Sequence, residues 1–249
     1  MSAADIVTAA ILVIGDEILS GRTKDKNIGY IADHCTAIGI QVKEVRIVPD
    51  EEDEIVAAVR ALSPRYTYVF TTGGIGPTHD DITADCVAKA FNVGIDHHPE
   101  VKALLLENFK RRGVEATAAR LRMARIPFGA EIVENKVSVA PGFKIENVIV
   151  MAGIPSVMQV MLDSVTPRLR TGKKMLSVTI ELMRPEGEIA ELFGETQAEF
   201  PDVPMGSYPF SREARVFGTQ LVLRSTDPDR LAAAEARLRE RLAAKGIQI

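Results

Sequence analysis

Gly73, Gly74 and Gly76 stand just ahead of two adjacent carboxylates, Asp80 and Asp81, in a segment that opens Thr71-Thr72 and closes Ile82-Thr83. Three glycines in four positions let a backbone turn tightly and bring its N–H groups close to an anion. Val87, Ala90 and Phe91 then repeat at helical spacing. A helix starting near Thr83 would add its positive end to the same place. A bare pair of carboxylates repels phosphate, so the arrangement makes most sense with a divalent cation, Mg²⁺-like, between them. Phosphate plus metal is the chemistry this spacing predicts. His79 has no second histidine at ligand spacing, and His97 and His98 precede Pro99 in a surface turn. All three read as structural.

The elements that must position these groups alternate. Residues 66–70 form an apolar, aromatic strand ahead of the loop, and residues 9–14 form an apolar run of the kind covered on both faces. Ile28, Ile31, Ala32, Cys35 and Ile38 predict a helix stopped by Gly39, followed by a strand over 40–48. Pro49 and Asp50 are expected to open a helix whose buried stripe is Ile55, Val56, Val59 and Leu62. A long helix over 99–125, a β-like stretch over 132–139, a strand over 148–151 and a helix over 155–165 follow. Such βαβ units predict an α/β protein: a three-layer, parallel sheet with a mixed edge and helices on both faces. Ligands of such sheets bind at the carboxyl ends of the strands. Three glycine-containing loops leave strands there: Gly15-Asp16-Glu17, residues 73–81, and Gly153-Ile154-Pro155-Ser156.

Thr171-Gly172-Lys173-Lys174 reads as a linker, dividing the chain into 1–170 and a small α+β domain over 171–249. The second part predicts a strand over 175–182 and a helix opened by Pro185 that carries Ile189, Leu192 and Phe193. Strands around Tyr208 and over 216–223 follow. The last helix is capped by Asp227, with Leu231, Ala234, Leu238 and Leu242 inside and Glu235 paired to Arg239. Its arginines read as a solvated face. No catalytic constellation is visible there.

Composition is that of a globular protein: 249 residues, 46% hydrophobic, 26% charged, net charge −4. That balance argues against general nucleic-acid binding. Cys35 and Cys86 fall on apolar helix faces without metal-ligand spacing and read as buried free thiols, consistent with a reducing cytoplasm. Residues 1–5 lack a basic leader, and residues 9–14 are too short to span a membrane. The expectation is a cytoplasmic protein with no membrane partner.

Gly15-Asp16-Glu17-Ile18-Leu19-Ser20-Gly21, Asp25-Lys26-Asn27 and residues 72–83 together resemble the molybdopterin-binding domain family of MoaB, MogA and the N-terminal part of CinA. The similarity continues through Ala140-Pro141-Gly142-Phe143, the Gly153 loop and Gly206-Ser207-Tyr208-Pro209, nearly the whole chain. The CinA branch fits best, because it too carries a small second domain. The nicotinamide mononucleotide deamidase domain that many CinA proteins add has no counterpart here, and that activity is not expected.

The resemblance implies two activities. MogA-like members bind and adenylylate molybdopterin, whereas CinA-like members are associated with metal-dependent cleavage of nucleotide pyrophosphates such as ADP-ribose. A related domain beside eukaryotic FAD synthase behaves similarly. Asp81 matches the family's important aspartate; Asp80 stands where MogA-like proteins usually have arginine, which favours the pyrophosphatase branch. The implied site has Asp80 and Asp81 as catalytic residues. The same pair, with Asp16 and Glu17, would be ligands to Mg²⁺, with K⁺ as a further ion. Phosphate would meet Gly73, Gly74, Gly76, Thr78, Lys24, Asn27 and Ser156. The ligand is a nucleotide or pterin, and a homo-oligomer, dimer or trimer, is implied. Val157 departs from the usual glutamate after Pro-Ser, and Lys26 from a common threonine. The first departure keeps a non-catalytic nucleotide- or pterin-binding module among the alternatives, beside a molybdopterin-binding or adenylylating protein.

Overall fold

Strand β1 (Val7–Ile14) is apolar throughout because its alternate side chains feed two cores. Ala10, Leu12 and Ile14 join one cluster with Ile55, Val59, Leu62 and Val87, while Ala9, Ile11 and Val13 join another with Ile31, Cys35, Met158 and Leu162. One sheet between two layers of helices follows from that alternation. The computed structural model describes residues 6–212 and 216–248. The reading of residues 1–5 as lacking a basic leader lies outside them.

After β1 come α1 (Asp16–Leu19), α2 (Asn27–Ala37), β2 (Ile40–Val48), α3 (Glu52–Leu62), β3 (Tyr68–Thr72) and α4 (Thr83–Phe91). The unit continues with β4 (Ile95–His97), α5 (Pro99–Arg111), α6 (Ala118–Leu121), β5 (Arg125–Pro127), β6 (Glu131–Val133), β7 (Gly142–Ile145), β8 (Val148–Met151) and α7 (Pro155–Val165). The main sheet has the order β2-β1-β3-β8-β7-β6. Its first four strands are parallel, and β7 runs against both neighbours. The chain leaves β1 toward β2 on one side and leaves β3 toward β8 on the other. The crevice between the carboxyl ends of β1 and β3 is therefore the topological switch point.

Three expectations are corrected. The helix over 99–125 stops at Arg111, because Gly113 takes φ +64. It restarts only at α6, where the Thr117 side chain accepts the Arg120 N–H. Arg122–Ala124 is a 3₁₀ turn, and Arg125 pairs with His97 in a small antiparallel ribbon. The strand expected over 132–139 ends at Val133 because Asn135 Oδ1 accepts from the backbone N–H of Val137 and Ser138, a turn that competes with the ladder. Asp50 does not cap α3. Its Oδ2 accepts the N–H of Asp16 instead, at 3.0 Å.

The chain divides into two compact units, with the boundary between Gly172 and Lys173. The second contains β9 (Leu176–Leu182), α8 (Ala190–Glu199), β10 (Met205–Arg212), β11 (Val216–Ser225) and α9 (Pro228–Ala244). Its antiparallel sheet, β10-β11-β9, shares a core with both helices through Ile180, Leu182, Leu192, Leu221, Leu223, Leu231 and Leu238. Pro185 opens no long helix: a 3₁₀ turn over Glu186–Glu188 intervenes, and α8 begins at Ala190. Asp227 Oδ1 caps α9 by accepting from Asp229 and Arg230 N–H, and Arg239 donates to Glu235 at 2.8 Å. No helix among the described residues is long and apolar enough to cross a membrane. Cys35 and Cys86 are buried free thiols, each pushed up to about 12 by that burial.

Candidate functional site

The loop after β3 is shaped by its glycines. Gly73 has φ +103, and a Cβ there would sit 2.1 Å from the Ile14 carbonyl oxygen; Gly74 has φ +67, and a Cβ there would sit 2.1 Å from Thr83 Oγ1. Only glycine tolerates both the conformation and the approach. Thr83, wholly buried at the start of α4, fastens the loop: its hydroxyl donates to the Gly73 carbonyl and its N–H to the Gly74 carbonyl, both at 3.0 Å. The Gly73 N–H donates to Met151 O. The next three N–H groups, of Gly74, Ile75 and Gly76, have no acceptor among the described residues. Unpaired donors on a rigid turn, ahead of a helix start, are what an anion needs.

Two clefts flank this loop. One, about 510 Å³, is lined by Asp16, Glu17, Asp50 and Asp80, with Arg22 the one cation among its lining residues. Burial raises the Asp50 carboxyl above its ordinary range, against the Asp16 N–H bond, and the charges of Asp16, Glu17 and Asp80 push it further. The other cleft is lined by Gly74, Ile75 and Gly76 together with Asp81, Asp85, Arg122 and Arg125. Asp81 Oδ2 accepts from both the N–H and the hydroxyl of Thr78.

Asp16, Glu17 and Asp80 line one cleft, and Asp81 lines the other. Among the described residues no three acidic, histidine or cysteine side chains converge as a ligand set. The acidic cleft supplies hard oxygen donors under mutual repulsion, which suits a hydrated Mg²⁺ bound through one or two carboxylates and a substrate phosphate, not a closed chelate. Thr78 spends its donors on Asp81. Asn27 Nδ2 donates to the Gly153 carbonyl at 2.8 Å, and its buried Oδ1 has no partner among the described residues. Lys24 and Lys26 line a third cleft with Asn27, Thr72 and Gly153. Ser156 is exposed in the first turn of α7, outside all three clefts. Val157 is 7% exposed and packs into the core with Met158 and Met161, so it offers no side chain to a ligand.

Sequence reasoning missed Asp50, Asp85, Arg122 and Arg125. Asp50 carried a signal, since it lies just past the carboxyl end of a strand, where a fourth loop reaches the same edge. The two arginines carried none while residues 99–125 read as one helix.

Fold and loop define a doubly wound α/β protein with a glycine turn of unpaired N–H donors at its switch point. Residues 10–171 match the family described as a probable molybdopterin binding domain, and residues 174–249 match the FAD synthase middle domain. The chain belongs to the molybdopterin-binding domain family, with that second domain following. A protein of Archaeoglobus fulgidus is 35% identical over 199 residues, 80% of this chain and 84% of its own length. One from Caldivirga maquilingensis is 39% identical over 166 residues, and the match spans 65% of each chain. The crystal structure of CinA from Thermoplasma acidophilum, described as a protein of unknown function, is similar with a TM-score of 0.61 at 32% identity. It covers 66% of this chain and 98% of that one.

Proposed function

We propose that this chain is a metal-dependent nucleotide pyrophosphatase acting on ADP-ribose, FAD or a related dinucleotide. The observation that carries the reading is the division of labour across one loop: unpaired N–H donors at Gly74, Ile75 and Gly76 beside Asp81, and an acidic cleft at Asp80. Phosphoryl oxygens accept from the N–H groups, which also stabilise the charge that grows on them in the transition state. Asp80 with Asp16 or Glu17 would hold a divalent cation, which would supply charge neutralisation of the pyrophosphate. Asp81, anchored through Oδ2 by Thr78, keeps Oδ1 for the proton of an attacking water. The water oxygen bonds to phosphorus, the bridging P–O bond breaks, and its electron pair leaves with the second phosphate.

A second reading, a molybdopterin-binding or adenylylating protein, is favoured by the family description itself. The paired variants D80N and D81N test the first. D80N is expected to raise the Mg²⁺ concentration needed for half-maximal rate, and D81N to lower kcat by roughly 10²–10⁴-fold at every Mg²⁺ concentration. Fully active D81N protein would remove Asp81 from the chemistry.

A further inference from the structure

Arg122 lies in the 3₁₀ turn before β5, with about 30% of its side chain exposed, and it lines the cleft of Gly74, Ile75 and Gly76. Its guanidinium makes no hydrogen bond among the described residues: Nε is shut off from solvent without an acceptor, and the sole ionic contact is Nη2 to Asp85 at 3.5 Å. Asp85 is already matched, since Arg125 Nη2 donates to its other oxygen at 2.6 Å. A guanidinium carries five donors in a planar fork suited to phosphate. Here they go unspent beside three N–H groups that are also unspent.

We propose that Arg122 is a phosphate-binding residue, closing over the phosphoryl group whose other oxygens accept from the N–H groups of Gly74, Ile75 and Gly76. The inference rests on the phosphate position proposed above and adds a cationic side chain to it. The Arg125–Asp85 pair keeps the neighbouring carboxylate from competing for that guanidinium.

The test is calorimetric titration of the full chain with AMP and with inorganic phosphate, in the absence of metal, for the wild type, R122Q and R122K. ADP-ribose turnover with Mg²⁺ is measured in parallel. Loss of a charged fork is expected to weaken AMP binding roughly 10- to 100-fold in R122Q. R122K should recover part of that loss, since it keeps the charge without the fork. KM for ADP-ribose should rise by a similar factor. An unchanged Kd in folded R122Q, or in R122K should R122Q fail to fold, overturns the proposal, as does a wild type that binds neither ligand. Binding that depends on Arg122 in a protein without turnover sustains this inference and sinks the pyrophosphatase reading instead. Turnover indifferent to R122Q does the reverse.

Discussion

Asp80 shares a cleft with Asp16, Glu17 and Asp50, while Asp81, one residue on, is tied to Thr78 beside two arginines. They are adjacent in sequence, yet each lines a different cleft. Asp50 lets the repulsion be measured. Its native pKa lies above the unfolded value, so the folded state binds the extra proton and stability falls as pH rises through that window. D50N removes the penalty while its amide oxygen can still accept from Asp16. Its Tm at pH 7 should exceed the wild type's by roughly 1–3 °C, and the gap should close as pH drops below the aspartate range. Thermal scans across pH decide it; a gap that persists in acid would mean the gain is not electrostatic. The tight turn at Gly73 and Gly74 was legible from residue types alone. Asn27's committed amide was not, because nothing local reports a bond to Gly153, 126 positions away.

At the scale of elements, the loop is held by α4 through Thr83, the last residue of the motif. T83V keeps the shape but leaves the Gly73 carbonyl without its donor, which should cost about 1–3 kcal/mol in denaturant unfolding and loosen the anion site. A variant as stable as the wild type would show that the turn holds without that bond. Periodicity located β2, β8 and α7 at their observed limits, because Gly39 and Pro49 bracket β2, Val148–Met151 is an unbroken apolar run, and Pro155 opens α7. It failed over 99–125, where Gly113 interrupts a pattern whose apolar residues continue on the far side. Burial of Ala124 and Ile126 comes from the ribbon with β4, and apolar spacing does not distinguish that from a helix face.

The whole molecule combines two units, each with its own core, joined by a stretch at 170–175 that is neither helix nor strand. Trypsin should cut early after Lys173 or Lys174 and release two pieces that keep their secondary structure by circular dichroism. Rapid digestion of either piece would contradict independent cores. The linker was visible as a polar Gly-Lys run between periodic segments, whereas the switch point needed the strand order, which no local pattern contains. The central claim is tested most directly by identifying the products after the full chain meets ADP-ribose, FAD and NAD with Mg²⁺ and K⁺. The account predicts AMP from at least one of them, lost when the metal is chelated. Intact substrates across several divalent metals would contradict it and turn attention to a pterin ligand.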